Sequence, residues 1–296
     1  MNMKTQTRNN IISGLFACIL TFVLICVKQS PHFGAVFVSN QDGEAYNLPI
    51  IMYHSVLDDK NKVSKYVITP ETLRNDIAYL KENGFTPIVT KDLVEFCHKG
   101  TPLPQNPIIL TFDDGYFNNY SYVYPILKEL QVKGVLSVVG IYADSFSKQG
   151  EILNNNYSHA TWEQIKEMSG SGYVEIQNHS YDMHDLSRRK GILKLNGEDE
   201  HIYKETLIKD FERNKKLIEK ATGKTPLAYT YPFGAVNERA KTIIEDLGVQ
   251  VTYGCAEGIN VITKNKECLF DLKRYNRDGR KETVEFYNKI LRIGAK

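Results

Sequence analysis

One stretch constrains this chain more than any other: Ile108-Ile-Leu-Thr-Phe-Asp-Asp-Gly-Tyr116. Apolar and β-favouring residues run straight into two carboxylates and a glycine. Such a run reads as a buried parallel strand. Asp113 and Asp114 then stand at its carboxyl end, where α/β folds place their chemistry, and Gly115 supplies the turn. Two adjacent carboxylates in a partly buried site do not both stay ionised unaided. A cation neutralises one of them, or one keeps a proton. Taken alone, Asp-Asp-Gly is also an ordinary solvated turn.

A second stretch narrows the choice. Gln177-Asn-His-Ser-Tyr-Asp-Met-His-Asp185 follows another strand-like run at 173–177. Its two histidines, His179 and His184, are spaced so that a helix would point them apart. In a loop after a strand both imidazoles can fold back on one point. Together with Asp114 they form a two-histidine, one-carboxylate set with open positions, which suits catalytic zinc and also ferrous iron.

Thr111-Phe-Asp-Asp-Gly115 and His179-Ser-Tyr-Asp-Met-His184 resemble the first two motifs of the polysaccharide deacetylases, the NodB-like carbohydrate esterases of family 4. The resemblance runs from about Leu48 to the C-terminus. It implies a distorted (β/α) barrel with seven parallel strands. The activity it implies is hydrolysis of N-acetyl groups on amino sugars of a cell-envelope or extracellular polysaccharide, of the peptidoglycan or poly-N-acetylglucosamine type. It further implies that Asp114, His179 and His184 hold a divalent metal, Zn2+ by expectation, and that Asp113 is the general base. Tyr231-Pro-Phe-Gly234 is similar to the third motif, usually Arg-Pro-Pro-Tyr-Gly. Phe233 falls in the tyrosine slot, where its backbone N–H is expected to help stabilise an oxyanion. Tyr231 and Pro232 are expected beside the substrate. So are His54, at the end of the strand Pro49-Ile-Ile-Met-Tyr53, and Arg274.

Three departures from the family pattern stand out. Thr230 occupies the usual arginine slot of the third motif. No histidine follows His201, so the late Leu-x-x-x-His motif and its general acid are missing. Asp271-Leu-Lys-Arg274 lies in the region of the fourth motif without its tryptophan. These departures keep a second reading open, a catalytically inactive, membrane-anchored glycan-binding protein.

Net charge over the 296 residues is only +2, which argues against a nucleic-acid partner. Residues 11–27 carry no charge and follow Lys4 and Arg8. That run is the length of a short membrane span or of a signal-peptide core. An uncleaved anchor is the expectation, with residues 1–10 cytoplasmic, 28–47 a linker and a monomeric domain at 48–296 outside the membrane. Outside the apolar run, Cys97, Cys255 and Cys268 show no zinc-ribbon spacing. A Cys255–Cys268 disulfide is the one pairing considered, and the fold is not expected to depend on it.

Strand-like and helix-like segments alternate through the rest of the chain, the signature of βα units around a parallel sheet. Thr69-Pro-Glu71 and Thr161-Trp-Glu-Gln164 predict helix starts. Helices are also predicted from just after Asn119, from Thr90 and over 202–221. A surface loop is expected at 144–158, an exposed Arg- and Lys-rich loop at 187–199 and a strand at 269–275.

Overall fold

The computed structural model describes residues 45–150 and 153–291, so the expected anchor at 11–27 lies outside the described residues. No described helix is long and apolar enough to cross a membrane. The chain opens with β1 (Ala45–Leu48), β2 (Ile50–Tyr53), β3 (Ser55–Val56) and β4 (Val67–Ile68), then α1 (Pro70–Glu82), β5 (Thr86–Ile88), α2 (Thr90–Lys99) and β6 (Pro107–Phe112). It continues with α3 (Tyr124–Glu129), β7 (Gly134–Val138), α4 (Gly140–Gln149), α5 (Trp162–Gly170), β8 (Val174–Asn178), α6 (Glu200–Thr222) and β9 (Ala228–Thr230). The last elements are α7 (Glu238–Glu245), β10 (Val251–Tyr253), β11 (Asn260–Thr263), β12 (Tyr275–Asn276) and α8 (Thr283–Leu291).

Seven strands form one curved parallel sheet in the order β10-β9-β8-β7-β6-β2-β12, and β5 adds to the start of β6. The two edges approach each other through a parallel bridge between Tyr253 and Leu272, just ahead of β12. This is the distorted seven-stranded (β/α) barrel that the motifs imply. Every residue of β6 and β7 is buried, as near-continuous apolar runs in a covered parallel sheet require. Strands run the same way, so their carboxyl ends open on one face. Residues 54, 113–114, 179 and 231 all follow strand ends there.

The helix signals held where a side chain caps. Thr69 accepts the Thr72 N–H ahead of Pro70, and Thr161 and Gln164 form a reciprocal capping box. Several expectations need correction. The predicted loop at 144–158 is helical up to Gln149, because α4 starts at Gly140 with no side-chain cap to announce it. A Cβ on Gly140 would sit 2.3 Å from Asn214 Oδ1, so this close packing admits only glycine. The helix expected after Asn119 begins as a wide π turn, Asn119–Val123, before α3. Thr90 is the first helical residue of α2 rather than its cap, and its hydroxyl bonds Tyr253 instead. Within 187–199, Ile192 is buried and Arg189 makes a two-pronged ion pair with Glu198, so the loop is stitched internally rather than solvated. The strand expected at 269–275 shrinks to β12, after a 3-10 turn at Lys266–Leu269. An antiparallel ribbon of β1 on β11, which local pattern did not announce, lies beside the start of β2. Cys268 neighbours Cys97, and not Cys255.

Candidate active site

Strand β6 ends in Phe112 and delivers Asp113 and Asp114 to the open face. Asp114 takes a left-handed backbone (φ 72°), followed by Gly115 at 74°. A side-chain-bearing residue adopts this conformation at a cost, and such outliers gather where a fold holds groups in place for function. Ser180 (φ 71°) and Phe233 (φ 59°) show the same strain in the two neighbouring loops. Three strained turns thus surround one point.

That point is the convergence of Asp114, His179 and His184. One ligand atom from each lies within 4.8 Å of the others. Asp114 Oδ1 is 3.4 Å from His179 Nε2 and 3.2 Å from His184 Nε2, yet it is buried and has no hydrogen-bond partner. The Nδ1 of His179 lies 2.8 Å from the Thr230 carbonyl. A carbonyl only accepts, so Nδ1 carries the proton and Nε2 presents its lone pair to the point. A fixed imidazole lone pair, a second imidazole and an orphaned carboxylate oxygen fit a divalent cation. Burial works to raise the Asp114 carboxyl, but in the absence of a cation the hydrogen bond and positive charge of the His179 and His184 rings, when protonated, outweigh it and hold it below the ordinary carboxylate range. Burial and then His179 push the His184 ring down to about 4, which keeps it neutral and able to ligate.

The loop that carries the two histidines is held from behind by α6. Asp210 accepts the Tyr181 N–H on Oδ1 (2.9 Å) and the Asp182 N–H on Oδ2 (2.7 Å). Asn214 donates to the Val138 carbonyl (2.9 Å) and to Asn178 Oδ1 (2.8 Å), and Asn178 Oδ1 also receives the Ser180 N–H (2.9 Å). Neither residue stood out in the sequence. The available signal was their place on the buried stripe of α6, with Tyr203, Leu207, Phe211 and Ile218. A polar residue on the core stripe of an amphipathic helix needs a partner.

Asp113 is 2% exposed and bound on both oxygens by Arg274, at 2.8 Å each. Arg274 also donates to the Gly254 carbonyl and Thr111 Oγ1. Burial would raise the Asp113 carboxyl, but the Arg274 guanidinium beside it brings it below its ordinary value. Arg274 was expected to touch substrate. It is instead wholly buried behind Asp113, where it orients and ionises that carboxylate.

A cavity of about 510 Å³ opens over this centre, lined among others by His54, Tyr66, Asp113, Asp114, His179, His184, Phe233, Cys255 and Glu257. His54 stands in its wall with Nδ1 buried and unpartnered, and its ring meets Tyr66 edge-on at 5.0 Å. Burial pushes the His54 ring down, while Asp113 and Asp114 pull the other way. Phe233 lays its ring 4.2 Å from that of His184, centroid to centroid. Of Tyr231 and Pro232, both expected beside substrate, Tyr231 borders the cavity but is 0% exposed and packs on Tyr229, and Pro232 is buried and does not line the cavity.

Comparison with known proteins agrees with the geometry. Residues 100–252 match the polysaccharide deacetylase family model. The chain is 27% identical over 291 residues to the poly-β-1,6-N-acetyl-D-glucosamine N-deacetylase of Escherichia coli, covering 92% of this chain and 41% of that protein. It is 24% identical to the enzyme of the same name from Staphylococcus aureus, over 69% of this chain and 66% of that one. The chain thus spans less than half the length of the first relative. Among solved structures, a de-N-acetylase from Aggregatibacter actinomycetemcomitans shares the fold with a TM-score of 0.68 at 24% identity, over 81% of this chain and 99% of the other. With a matching family model over more than half its length and that family's motifs gathered around one cavity, the chain belongs to the polysaccharide deacetylase family.

Proposed function

We propose that this protein is a metal-dependent N-deacetylase of a poly-β-1,6-linked N-acetylglucosamine polymer. The observation that carries the reading is the division of labour between two adjacent carboxylates. Asp114 faces two imidazoles with an orphaned oxygen, and Asp113 is held ionised by Arg274 in the same cavity. A binding protein has no use for both. The similarity to two N-deacetylases of this polymer supports the choice of substrate.

Asp114, His179 and His184 would hold the cation, with zinc the best match to the donor set. When bound, it supplies Lewis acidity toward the acetyl carbonyl and acidifies water. Asp113 takes the proton of the attacking water. Arg274 occupies one lone pair on each carboxylate oxygen, which leaves acceptor capacity for that proton and fixes its direction. The turn at Phe233 brings its backbone to the cavity edge, where its N–H would donate to the developing oxyanion. The departing amine needs a proton. Arg274 is committed to Asp113, so His54, which stands in the cavity wall with Nδ1 unpartnered, is the donor we assign, acting when protonated beside the two carboxylates. An anchor at 11–27 would hold this catalytic domain on the outer side of the membrane, where an exported polymer is within reach.

The test follows acetate released by the purified full chain from β-1,6-linked N-acetylglucosamine oligomers and from peptidoglycan, alongside bound metal. Release from the β-1,6 oligomers that a chelator abolishes and zinc restores is the expected result. Stoichiometric metal with no acetate from these oligomers would overturn the substrate, and acetate release indifferent to chelator would overturn the metal.

A further inference from the structure

Away from the active site, two thiols meet on the side of the barrel where β1 pairs with β11. Cys97 lies near the end of α2, and Cys268 lies in the short turn that follows β11. Cys97 Sγ is 3.1 Å from the carbonyl oxygen of Thr263, the last residue of β11, and Cys268 Sγ is 3.6 Å from the same oxygen. The two thiols are also close enough to perturb each other's ionisation. One acceptor shared by two thiols gathers both sulfurs around the Thr263 carbonyl.

We propose that Cys97 and Cys268 are a dithiol pair that closes to a disulfide, stapling α2 to the β1–β11 ribbon, by exchange with a disulfide-bearing oxidant. The first attack falls to Cys268. It is half-buried, whereas Cys97 is 8% exposed. The Thr263 N–H points at Cys268 Sγ from 3.4 Å. The neighbouring Cys97 and the Thr263 backbone hold the Cys268 thiol below its ordinary value, while Cys97 itself is pushed up. A thiolate at Cys268 with a protonated neighbour is the arrangement that starts exchange. The Cys268 thiolate attacks one sulfur of the oxidant and expels the other as a thiolate, which leaves a mixed disulfide. Cys97 then loses its proton, attacks Cys268 Sγ and expels the second thiolate. The two cysteine protons pass to the two expelled thiolates, the oxidant is reduced to two thiols, and one Cys97–Cys268 bond remains.

The staple acts on a segment that matters to the site. The chain between β10 and β12 carries Cys268 and ends at Arg274. Asn260 in β11 bonds both the N–H and the carbonyl of Lys273. Cross-linking α2 to this segment restrains the approach to Arg274. Cys255 takes no part: it lines the active-site cavity, packed under Gly234.

The experiment uses the full chain prepared under oxidising conditions and, separately, with reductant. Each sample is alkylated natively, digested and mapped by mass without reduction. The expected map of the oxidised sample links the Cys97 and Cys268 peptides, two hydrogens lighter than their sum, with Cys255 alkylated. Reduction should lower the thermal midpoint of the wild type by roughly 5–10 °C. Cys268→Ser should sit near the reduced value and ignore reductant. Alkylated Cys97 and Cys268 in the oxidised protein, or a link from Cys268 to Cys255, would overturn the proposal. If the serine variant does not fold, the wild-type map still decides.

Discussion

Asp113 and Arg274 are a fully buried ion pair with two-pronged geometry, and each determines what the other can do. Asp113→Asn removes the negative charge and leaves a buried guanidinium uncompensated. That loss costs about 3–5 kcal/mol of stability, besides abolishing turnover. The proposed cation should still bind, because Asp114, His179 and His184 are untouched. Elemental analysis, thermal unfolding and acetate release on one preparation check all three points, and an active Asp113→Asn protein would remove Asp113 as the base. Arg274→Met acts in the opposite sense. Without the guanidinium, burial is left to raise the Asp113 carboxyl. A base works only when deprotonated, so the acidic limb of the kcat/KM profile should move to higher pH, and an unmoved limb would contradict the assignment. The convergence of Asp114, His179 and His184 was legible in the sequence because each motif is contiguous and follows a strand. Arg274 was noticed but misassigned, because its partner lies 161 residues away and no local pattern encodes that pairing.

The geometry of the histidine loop depends on one helix. The Asp210 carboxylate on α6 takes two successive backbone N–H groups, one on each oxygen. Asp210→Asn keeps the shape but turns one acceptor into a donor facing an N–H. The loop should loosen and zinc affinity fall by roughly 10–100-fold, the usual effect of losing a partner behind the ligands; competition with a chromophoric chelator measures this. The same residue gives the fold a pH signature. Burial pushes Asp210 up to about 6, above its unfolded value. Between about pH 4 and that value the native state keeps a proton that the unfolded chain has released. Stability is therefore full below that window and declines as pH rises through it, by about 2–3 kcal/mol. Urea unfolding across the window should show the decline in the wild type and lose this contribution in Asp210→Asn. At this scale, α2 was readable from Thr90 although no side chain caps it. Helices announced by Thr69 and Thr161 were readable, whereas α4 begins after Val139 with no side-chain cap and was taken for a loop.

Closing the barrel brings together parts of the chain that are far apart in sequence, and a polar cluster marks the closure. Arg277 follows β12 and pairs with Asp76 of α1 at 2.8 and 3.0 Å, both side chains fully buried. Thr283 of α8 donates to the same carboxylate at 2.7 Å, and Tyr53 at the end of β2 donates at 3.0 Å. With its own proton given to Asp76, Tyr53 accepts the hydrogen bond from Tyr287 of α8 at 2.8 Å. One carboxylate thus ties the first and last described helices to the strands that close the sheet. Alternation of strands and helices predicts a parallel barrel, but it says nothing of this seam, because the pattern repeats equally well for seven units or eight. Asp76→Ala should therefore cost about 3–5 kcal/mol by stranding Arg277 and opening a hole at the closure. The double variant Asp76→Leu with Arg277→Met should recover much of that loss, since removing both charges removes the penalty of leaving one unpaired. Urea midpoints at constant slope measure both, and zinc content should stay stoichiometric in each variant because the seam does not touch the metal ligands. If Asp76→Ala and the double variant are equally destabilised, the cluster contributes through packing alone, and closure of the barrel does not depend on the charge pair.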